Sequence, residues 1–141
     1  MIVTLLDTGV LWAALDVRDT HHRTSAELMA TLPGRVLLPS TVLTETSWHA
    51  ERTLGPKAES ELLDYIVQSD IELVDVDKDD LICASSIIRR YASLRLGLVD
   101  SSVVALAQRL DISRIATLDR RHFTVIRPDH VKSFTLLPET L

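Results

Sequence analysis

The sequence lacks several features that mark particular classes of protein. It has one cysteine, Cys83, which excludes an internal disulfide and whose apolar neighbours indicate a core position. No apolar run approaches the roughly 18 residues that indicate a membrane span. Residues 1–6 are apolar but carry no basic leader, which argues against a signal peptide. We therefore expect a cytoplasmic protein that makes no use of a membrane.

The sequence also has no low-complexity tract, internal repeat or recognisable linker. A chain of 141 residues has the usual size of one domain and can bury roughly two-thirds of the surface of its unfolded state. Hydrophobic residues make up 46% and charged residues 25%, which is ordinary for a globular protein. We expect one domain over residues 1–141.

The net charge of -5 argues against a nucleic-acid partner, but the charge is unevenly distributed. Residues 1–80 carry 6 Lys or Arg and 15 Asp or Glu, whereas residues 81–132 carry 9 and 4. A basic surface in this second part could hold phosphates, although arginines scattered over solvated helix faces are the commoner case. Its basic residues are Arg89, Arg90, Arg95, Arg109, Arg114, Arg120, Arg121, Arg127 and Lys132.

Short apolar runs alternate with segments of helical periodicity along the chain. The runs with the composition of buried strands are 2–6, 35–38, 71–74, 114–118 and 123–126. This alternation predicts an α/β fold with a mainly parallel central sheet of four or five short strands, flanked by helices. Residues 134–137 are either an edge strand or a tail that docks on another subunit.

Local signals predict where several helices begin and end. Thr8–Leu15 is compatible with a short helix, and Ser40 is expected to cap a helix that continues to Leu54. Pro56 marks the start of the next helix, and Asp77 is a predicted N-cap. We expect the last helix to run from about Asp100 to Leu110.

Four acidic side chains stand against or inside apolar segments, where acids are least expected: Asp7, Glu45, Asp100 and Asp119. Asp7 and Asp119 directly follow the first and fourth strand-like runs, and ligands bind at the carboxyl ends of strands in an open parallel sheet. Glu45 and Asp100 reach that edge if their helices pack beside it. Helix capping would equally explain Asp7 and Asp100, and turn formation would explain Asp119.

Glu45 is harder to explain without a ligand. Val42, Leu43, Thr46 and Trp48 surround it in the sequence, and burying an unpaired carboxylate costs several kcal/mol. One divalent ion, bound through oxygen, would satisfy all four acids. Carboxylate ligands without accompanying Cys or His favour Mg²⁺ or Mn²⁺ over Zn²⁺.

The order and spacing of four motifs together carry a family resemblance that extends over nearly the whole chain. The motifs are Leu6-Asp7-Thr8, Thr44-Glu45, Asp100-Ser101-Ser102 followed by Ala105 and Ala107, and Thr117-Leu118-Asp119-Arg120-Arg121-His122-Phe123. In these motifs the sequence resembles the PIN-domain family of metal-dependent nucleases, and within it the VapC-type ribonuclease toxins of type II toxin-antitoxin pairs.

The resemblance implies a three-layer PIN-like fold and a catalytic, metal-binding quartet: Asp7, Glu45, Asp100 and Asp119. It also implies that Thr8, Ser101 and Thr117 support these acids. The implied reaction is hydrolysis of an RNA phosphodiester with Mg²⁺, or Mn²⁺, activating the attacking water and leaving a 5′-phosphate and a 3′-hydroxyl. A homodimer and neutralisation by a cognate VapB-type antitoxin follow from the same resemblance.

Three residues beside Asp119 are further candidates for contact with the substrate. Arg120, Arg121 and His122 could hold the scissile phosphate or a neighbouring one, with solvated surface charge as the alternative.

The histidine and tryptophans near the acids have ordinary explanations. His49 lies four residues after Glu45, but a single such pair is weak support for a metal ligand. Trp12 and Trp48 lie among apolar residues at helical spacing, which favours packing in the core or at a subunit interface.

Two other functional classes fit the sequence less well. A catalytically degenerate PIN fold that serves as a protein-binding module would be indicated by loss of an acid, and all four are present. A phosphatase-like α/β domain with Asp7 as nucleophile needs a second Asp two residues later, where this chain has Gly9. The paired acids and the late Lys of a receiver domain are also missing.

Overall fold

Five short strands form one parallel sheet at the centre of the protein. The computed structural model describes residues 1–141. The strands are β1 (Val3–Leu6), β2 (Arg35–Pro39), β3 (Glu72–Val74), β4 (Arg114–Ala116) and β5 (Thr135–Leu137). Their spatial order is β3-β2-β1-β4-β5, and every neighbouring pair is parallel. The predicted α/β class with a mainly parallel sheet is therefore confirmed.

Seven α-helices flank this sheet. They are α1 (Thr8–Leu15), α2 (His22–Thr31), α3 (Ser40–Leu54), α4 (Pro56–Gln68), α5 (Lys78–Arg90), α6 (Leu98–Leu110) and α7 (Arg120–Val125). A short 3-10 turn, Ala92–Leu94, precedes α6. None of the helices combines the length and the apolar character that crossing a membrane requires.

The predicted helix starts were right where the local chemistry is strong. Pro56 begins α4, and Asp77 caps α5 through a reciprocal pair of hydrogen bonds with Asp80, 2.8 and 3.0 Å long. Ser40 is not an N-cap, because α3 begins at Ser40 itself with Pro39 in the cap position and no side-chain cap bond. Helix α6 begins at Leu98, two residues before the predicted start.

The predicted strand over 123–126 was wrong, because Phe123 to Val125 lie in α7 and Ile126 is the C-cap of that helix. The Asp119 side chain accepts a hydrogen bond of 3.1 Å from the His122 amide and so caps this helix. Phe123 and Ile126 are three residues apart on one face, and both are buried. The fifth strand instead comes from residues 135–137, which pair with β4 at the edge of the sheet.

The most deeply buried elements include three that adjoin candidate acids, namely β1, β4 and α6. Leu5 and Leu6 of β1 and Ile115 of β4 are fully buried, and α6 is buried continuously from Ser101 to Ala107. Gly34 lets the chain enter β2 with a φ of 72°, and a Cβ there would collide with the Ile2 carbonyl oxygen. The core therefore fixes the ends of β1 and β4 and the start of α6 relative to one another.

Candidate active site

The strand order creates a crevice between the carboxyl ends of β1 and β4. The chain proceeds from β1 to β2 on one side and returns later to β4 on the other, so the connections diverge at this point. Asp7 follows β1 directly, and its amide donates a hydrogen bond of 2.9 Å to the Ala116 carbonyl at the end of β4. Asp119 follows β4 by three residues. The two aspartates lie at the same crevice, as predicted.

Two helices bring the other acids to the same place. Glu45 is the sixth residue of α3, and Asp100 is in the first turn of α6. All four acids line one cleft with a volume of about 630 Å³. The sequence prediction that these acids converge is therefore correct as geometry.

Asp7 is the buried member of the group. Only 5% of its surface is exposed, and Thr117 Oγ1 donates a hydrogen bond of 2.8 Å to its Oδ2. Thr117 Oγ1 in turn accepts a bond of 2.9 Å from the Asp119 amide, so this threonine connects the two strand ends. Burial, followed by the negative charge of Asp100, raises the pKa of Asp7 to about 7, although the Thr117 hydrogen bond opposes the change.

His122 occupies the space between two of the acids. Its Nδ1 lies 2.8 Å from Asp100 Oδ2 and 2.9 Å from Asp119 Oδ2. The backbone of α7 fixes this position, since the His122 amide also bonds to Asp119. Sequence reasoning offered His122 only as a phosphate contact and missed its contact with the carboxylates. The three-residue spacing of Asp119 and His122 at the start of a short helix was a sequence signal for the contact with Asp119, but not for the contact with Asp100.

The donor atoms at this site fit a divalent cation. Possible ligand atoms of Asp100, Asp119 and His122 all lie within 4.8 Å of one another. Burial raises the pKa of Asp100, the hydrogen bond from His122 opposes that change, and the negative charges of Asp119 and Glu45 add to it. A cation among these side chains would relieve their mutual repulsion, and a largely oxygen donor set suits a hard ion such as Mg²⁺.

Glu45 is less buried than its apolar sequence neighbours predict. It is half-buried and faces the cleft, whereas Thr46 beside it is fully buried. The cost of burying a carboxylate therefore applies to Asp7 rather than to Glu45.

The three hydroxyl residues expected to support the acids have different surroundings. Only Thr117 bonds to an acid side chain. Ser101 Oγ bonds to the carbonyls of Gly97 and Leu98 in its own helix, so the predicted support from this residue was wrong. Thr8 Oγ1 is buried at the cleft and has no partner within the protein. It is therefore free to bond to a ligand or to a water molecule in the cleft.

The aromatic residues near the acids form a small cluster. His49 lines the cleft, and its ring centroid lies 6.0 Å from that of Trp12 and 5.1 Å from that of Trp48. His49 is not part of the group of potential metal ligands. Trp12 packs against the core, as expected, but Trp48 is 54% exposed and is not a core residue.

Several of the basic residues that could have formed a phosphate-binding surface have structural roles instead. Arg109 Nε lies 2.9 Å from the buried carboxylate of Asp80, and Arg90 pairs with Asp129 at 3.8 Å. Arg120 bonds to the Pro138 carbonyl, whereas Arg121 lies on the surface beside the His122 ring. The remaining basic residues of the second half form no ion pair with an acid.

An open parallel sheet with four acids at its switch point defines an α/β protein with a carboxylate-lined cleft. The sequence model of the PIN domain matches residues 4–127. The chain therefore belongs to the PIN-domain family. The region of the match contains all four acids.

Individual proteins of known type are similar over most of the chain. Ribonuclease VapC26 of Mycobacterium tuberculosis is 28% identical over 134 residues, which cover 95% of this chain and 99% of that protein. The fold resembles VapC20 of the same organism, a sarcin-ricin loop cleaving toxin, with a TM-score of 0.78, 22% identity and coverage of 84% of this chain and 91% of that one. It also resembles VapBC2 of Rickettsia felis, solved with a promoter DNA fragment, with a TM-score of 0.70, 17% identity and coverage of 96% and 97%.

Proposed function

We propose that the protein is a Mg²⁺-dependent endoribonuclease of the VapC type that hydrolyses RNA phosphodiester bonds. The observation that carries the proposal is the convergence of Asp7, Glu45, Asp100 and Asp119 on one cleft at the switch point of the sheet. The ribonuclease name of a relative that spans the same length adds support.

Asp100 and Asp119 are the proposed direct ligands of the metal, with Asp7 and Glu45 completing the acidic wall. Mn²⁺ could replace Mg²⁺ because both ions prefer oxygen ligands. When bound, such an ion supplies Lewis acidity, which activates water and neutralises charge on a phosphate. The four acids are the proposed catalytic residues.

The protein's own side chains prepare the site before any substrate arrives. Thr117 orients Asp7 through a hydrogen bond to Oδ2, and His122 holds Asp100 and Asp119 at a fixed separation. Such supporting bonds reduce the reorganisation that ligand binding requires. Arg121 is exposed beside His122 and is the proposed contact for a phosphate of the RNA strand.

An antitoxin protein is the proposed regulatory partner. Structures similar to this chain include toxin-antitoxin complexes, among them one from Klebsiella pneumoniae. A second groove, lined only by apolar residues of α1, α2 and α4, is a suitable place for an apolar helix face of such a partner. The lining residues are Leu11, Ala14, Leu15, Ala26, Met29, Ala30 and Tyr65. Co-expression with the neighbouring gene product tests this proposal, and a neighbour that neither binds nor inhibits the protein would contradict it.

We also propose a homodimer. Exposed apolar side chains are frequent on α4, β3 and α5, where Val67 is 82%, Leu73 57% and Ile82 69% exposed. Apolar surface of this kind on an edge strand and its flanking helices is typical of a subunit contact. Light scattering of the purified protein measures the mass directly, and a monomer at micromolar concentration would contradict the proposal.

The degenerate binding module remains the second candidate. The exposed apolar surfaces would suit such a module, but it has no need for a carboxylate as deeply buried as Asp7. A protein that binds partners without cleaving RNA in Mg²⁺ would favour this second function.

The experiment that tests the proposed activity compares RNA cleavage by the wild type and by Asp7→Asn, with Mg²⁺ or with EDTA. Asn fills the same space and can still accept the Thr117 hydrogen bond, but it removes the negative charge. With Mg²⁺ we expect cleavage by the wild type and none by Asp7→Asn, and with EDTA we expect no cleavage by either. Asp70→Asn is the matched control, because Asp70 is an exposed acid outside the cleft. Cleavage by Asp7→Asn in EDTA would overturn the proposed site.

A further inference from the structure

A third groove, distinct from the apolar groove between α1, α2 and α4, continues the acidic cleft along α3. This groove and the acidic cleft share four lining residues, Glu45, His49, Leu98 and Val99. The groove ends at Trp48. Glu45 and Trp48 are three residues apart on α3, so they lie on neighbouring turns of one face. The groove therefore opens directly from the site of the four acids.

Trp48 presents an accessible aromatic ring in the groove. The side chain is 54% exposed, although an exposed indole leaves a large apolar area in water. His49 packs against the ring edge to face, at 5.1 Å between centroids and an angle of 68°. The Arg52 guanidinium lies 4.6 Å from the ring centroid. The ring is thus held in place by its neighbours and accompanied by a positive charge.

Besides Trp48, the groove is lined by the apolar side chains of Leu98 and Val99 and by polar residues. Ser40, Thr41 and Thr44, from the first turns of α3, supply three hydroxyl groups to its lining. Thr41 Oγ1 is held by Ser102 Oγ at 2.7 Å, and Thr44 Oγ1 donates to the Ser40 carbonyl at 2.9 Å. Hydroxyl groups of this kind can bond to the sugar, the phosphate or the edge of a base.

We propose that this groove is a nucleotide subsite, in which an unpaired base beside the scissile phosphate stacks on Trp48 while Arg52 contacts the adjoining phosphate. The proposal rests on the ribonuclease function proposed above. Aromatic rings accept any base because every base has a π-face, and arginine adds charge to such a platform. The groove therefore gives contact with single-stranded or looped RNA, since the bases of a duplex are already stacked.

The composition of the groove favours a nucleotide over a protein as its occupant. The groove between α1, α2 and α4 is wholly apolar, whereas this one combines hydroxyls, His49 and Glu45 with one exposed aromatic ring, over which the Arg52 guanidinium lies. It is also continuous with the proposed catalytic cleft, and the wholly apolar groove shares no lining residue with that cleft.

The test measures binding of a short unstructured oligoribonucleotide with Ca²⁺ in place of Mg²⁺, and a gel confirms that the RNA stays intact. Trp48→Leu should weaken binding at least about fivefold, because stacking on an aromatic ring is removed. Trp48→Phe retains a ring and should recover most of the affinity. Leu54→Ala is the control: Leu54 is an exposed apolar residue at the end of the same helix, α3, outside both clefts, and its loss should leave RNA affinity unchanged.

A spectroscopic signal separates stacking from a general structural effect. The chain has two tryptophans, so in Trp12→Phe the fluorescence reports on Trp48 alone. Single-stranded RNA should quench this fluorescence, and a duplex of the same sequence should quench it much less. In Mg²⁺, Trp48→Leu should raise KM for a single-stranded substrate several-fold while kcat changes little.

Two results would overturn the subsite: wild-type RNA affinity in Trp48→Leu, and equal losses of affinity in Trp48→Leu and Trp48→Phe. In the first case, an altered molecular mass of Trp48→Leu would identify Trp48 as part of a subunit contact. If the wild type cleaves RNA and Trp48→Leu binds it normally, the subsite fails and the ribonuclease function stands. If the wild type neither binds nor cleaves RNA, both fail.

Discussion

Metal-free protein should lose stability as the pH rises towards neutrality because of Asp7. Burial raises the pKa of this carboxyl from 3.8 to about 7 in the folded state. Between these two values the folded protein keeps the proton and the unfolded chain loses it. The folded state therefore binds more protons, and the free energy of unfolding falls as the pH rises from about 4 to about 7.

The magnitude follows from the size of the pKa shift. Each pH unit between the two pKa values changes the free energy of unfolding by about 1.4 kcal/mol, so the full shift corresponds to roughly 4 kcal/mol. Asp7→Asn removes this dependence while keeping the shape of the side chain. The variant should thus gain on the wild type by about 3 kcal/mol between pH 5 and pH 8, or about 10 °C in Tm for a chain of this size.

The assay is thermal or urea denaturation of both proteins in EDTA at several pH values. The comparison of variant with wild type cancels the other titrating groups, and Asp70→Asn provides an exposed-acid control that should follow the wild type. A difference between Asp7→Asn and the wild type that stays constant from pH 5 to pH 8 would refute the argument that Asp7 is held protonated by burial.

Two further predictions concern neighbouring contacts. His122→Ala should weaken Mg²⁺ binding, measured by calorimetry, by about tenfold or more, because Asp100 and Asp119 lose the side chain that fixes their separation. His122→Asn keeps a hydrogen-bond donor and should lose less affinity for Mg²⁺. Equal losses of affinity in both variants would contradict a positioning role for His122. Arg109→Ala should lower the free energy of unfolding at pH 7, measured by urea denaturation, by about 3 kcal/mol, because the substitution leaves the buried Asp80 carboxylate without its cation. A change below about 1 kcal/mol would show that water replaces the arginine.

Local chemistry explains which elements of the fold could be predicted from the sequence. The start of α4 at Pro56 and the cap of α5 at Asp77 each depend only on residues within one helical turn, which can be seen directly in the sequence. The strand predicted at 123–126 failed because a run of four residues is too short to distinguish a helix from a strand. Capping by Asp119 decides in favour of α7, and β5 then forms from residues 135–137 by pairing with a distant strand.

The candidate site shows the same division between near and distant contacts. Asp7 and Asp119 were predicted at one edge because parallel strands end together, and that inference needs only the order of the strands. The burial of Glu45 was inferred from its sequence neighbours and was wrong, because only some of them are buried: Val42 and Thr46 lie in the core, whereas Glu45 and the exposed Trp48 face the cleft and the groove beside it. The contact of His122 with Asp100 spans 22 positions and left no periodic signal in the sequence.

Burial of Asp7 connects the proposed catalytic chemistry to the stability of the fold. Asp7 follows β1 and is buried, so its negative charge lowers the stability of the fold when no cation is present. A bound cation should restore that stability. Mg²⁺ should raise the Tm of the wild type more at pH 8 than at pH 5, because at low pH a proton already neutralises Asp7 and must leave before the charged site forms. In Asp7→Asn this dependence on pH should become smaller, because only the raised pKa of Asp100 then contributes to it, while binding through Asp100 and Asp119 weakens. The same residue thus couples proton, metal and folding equilibria, and a site built from exposed acids would not do so.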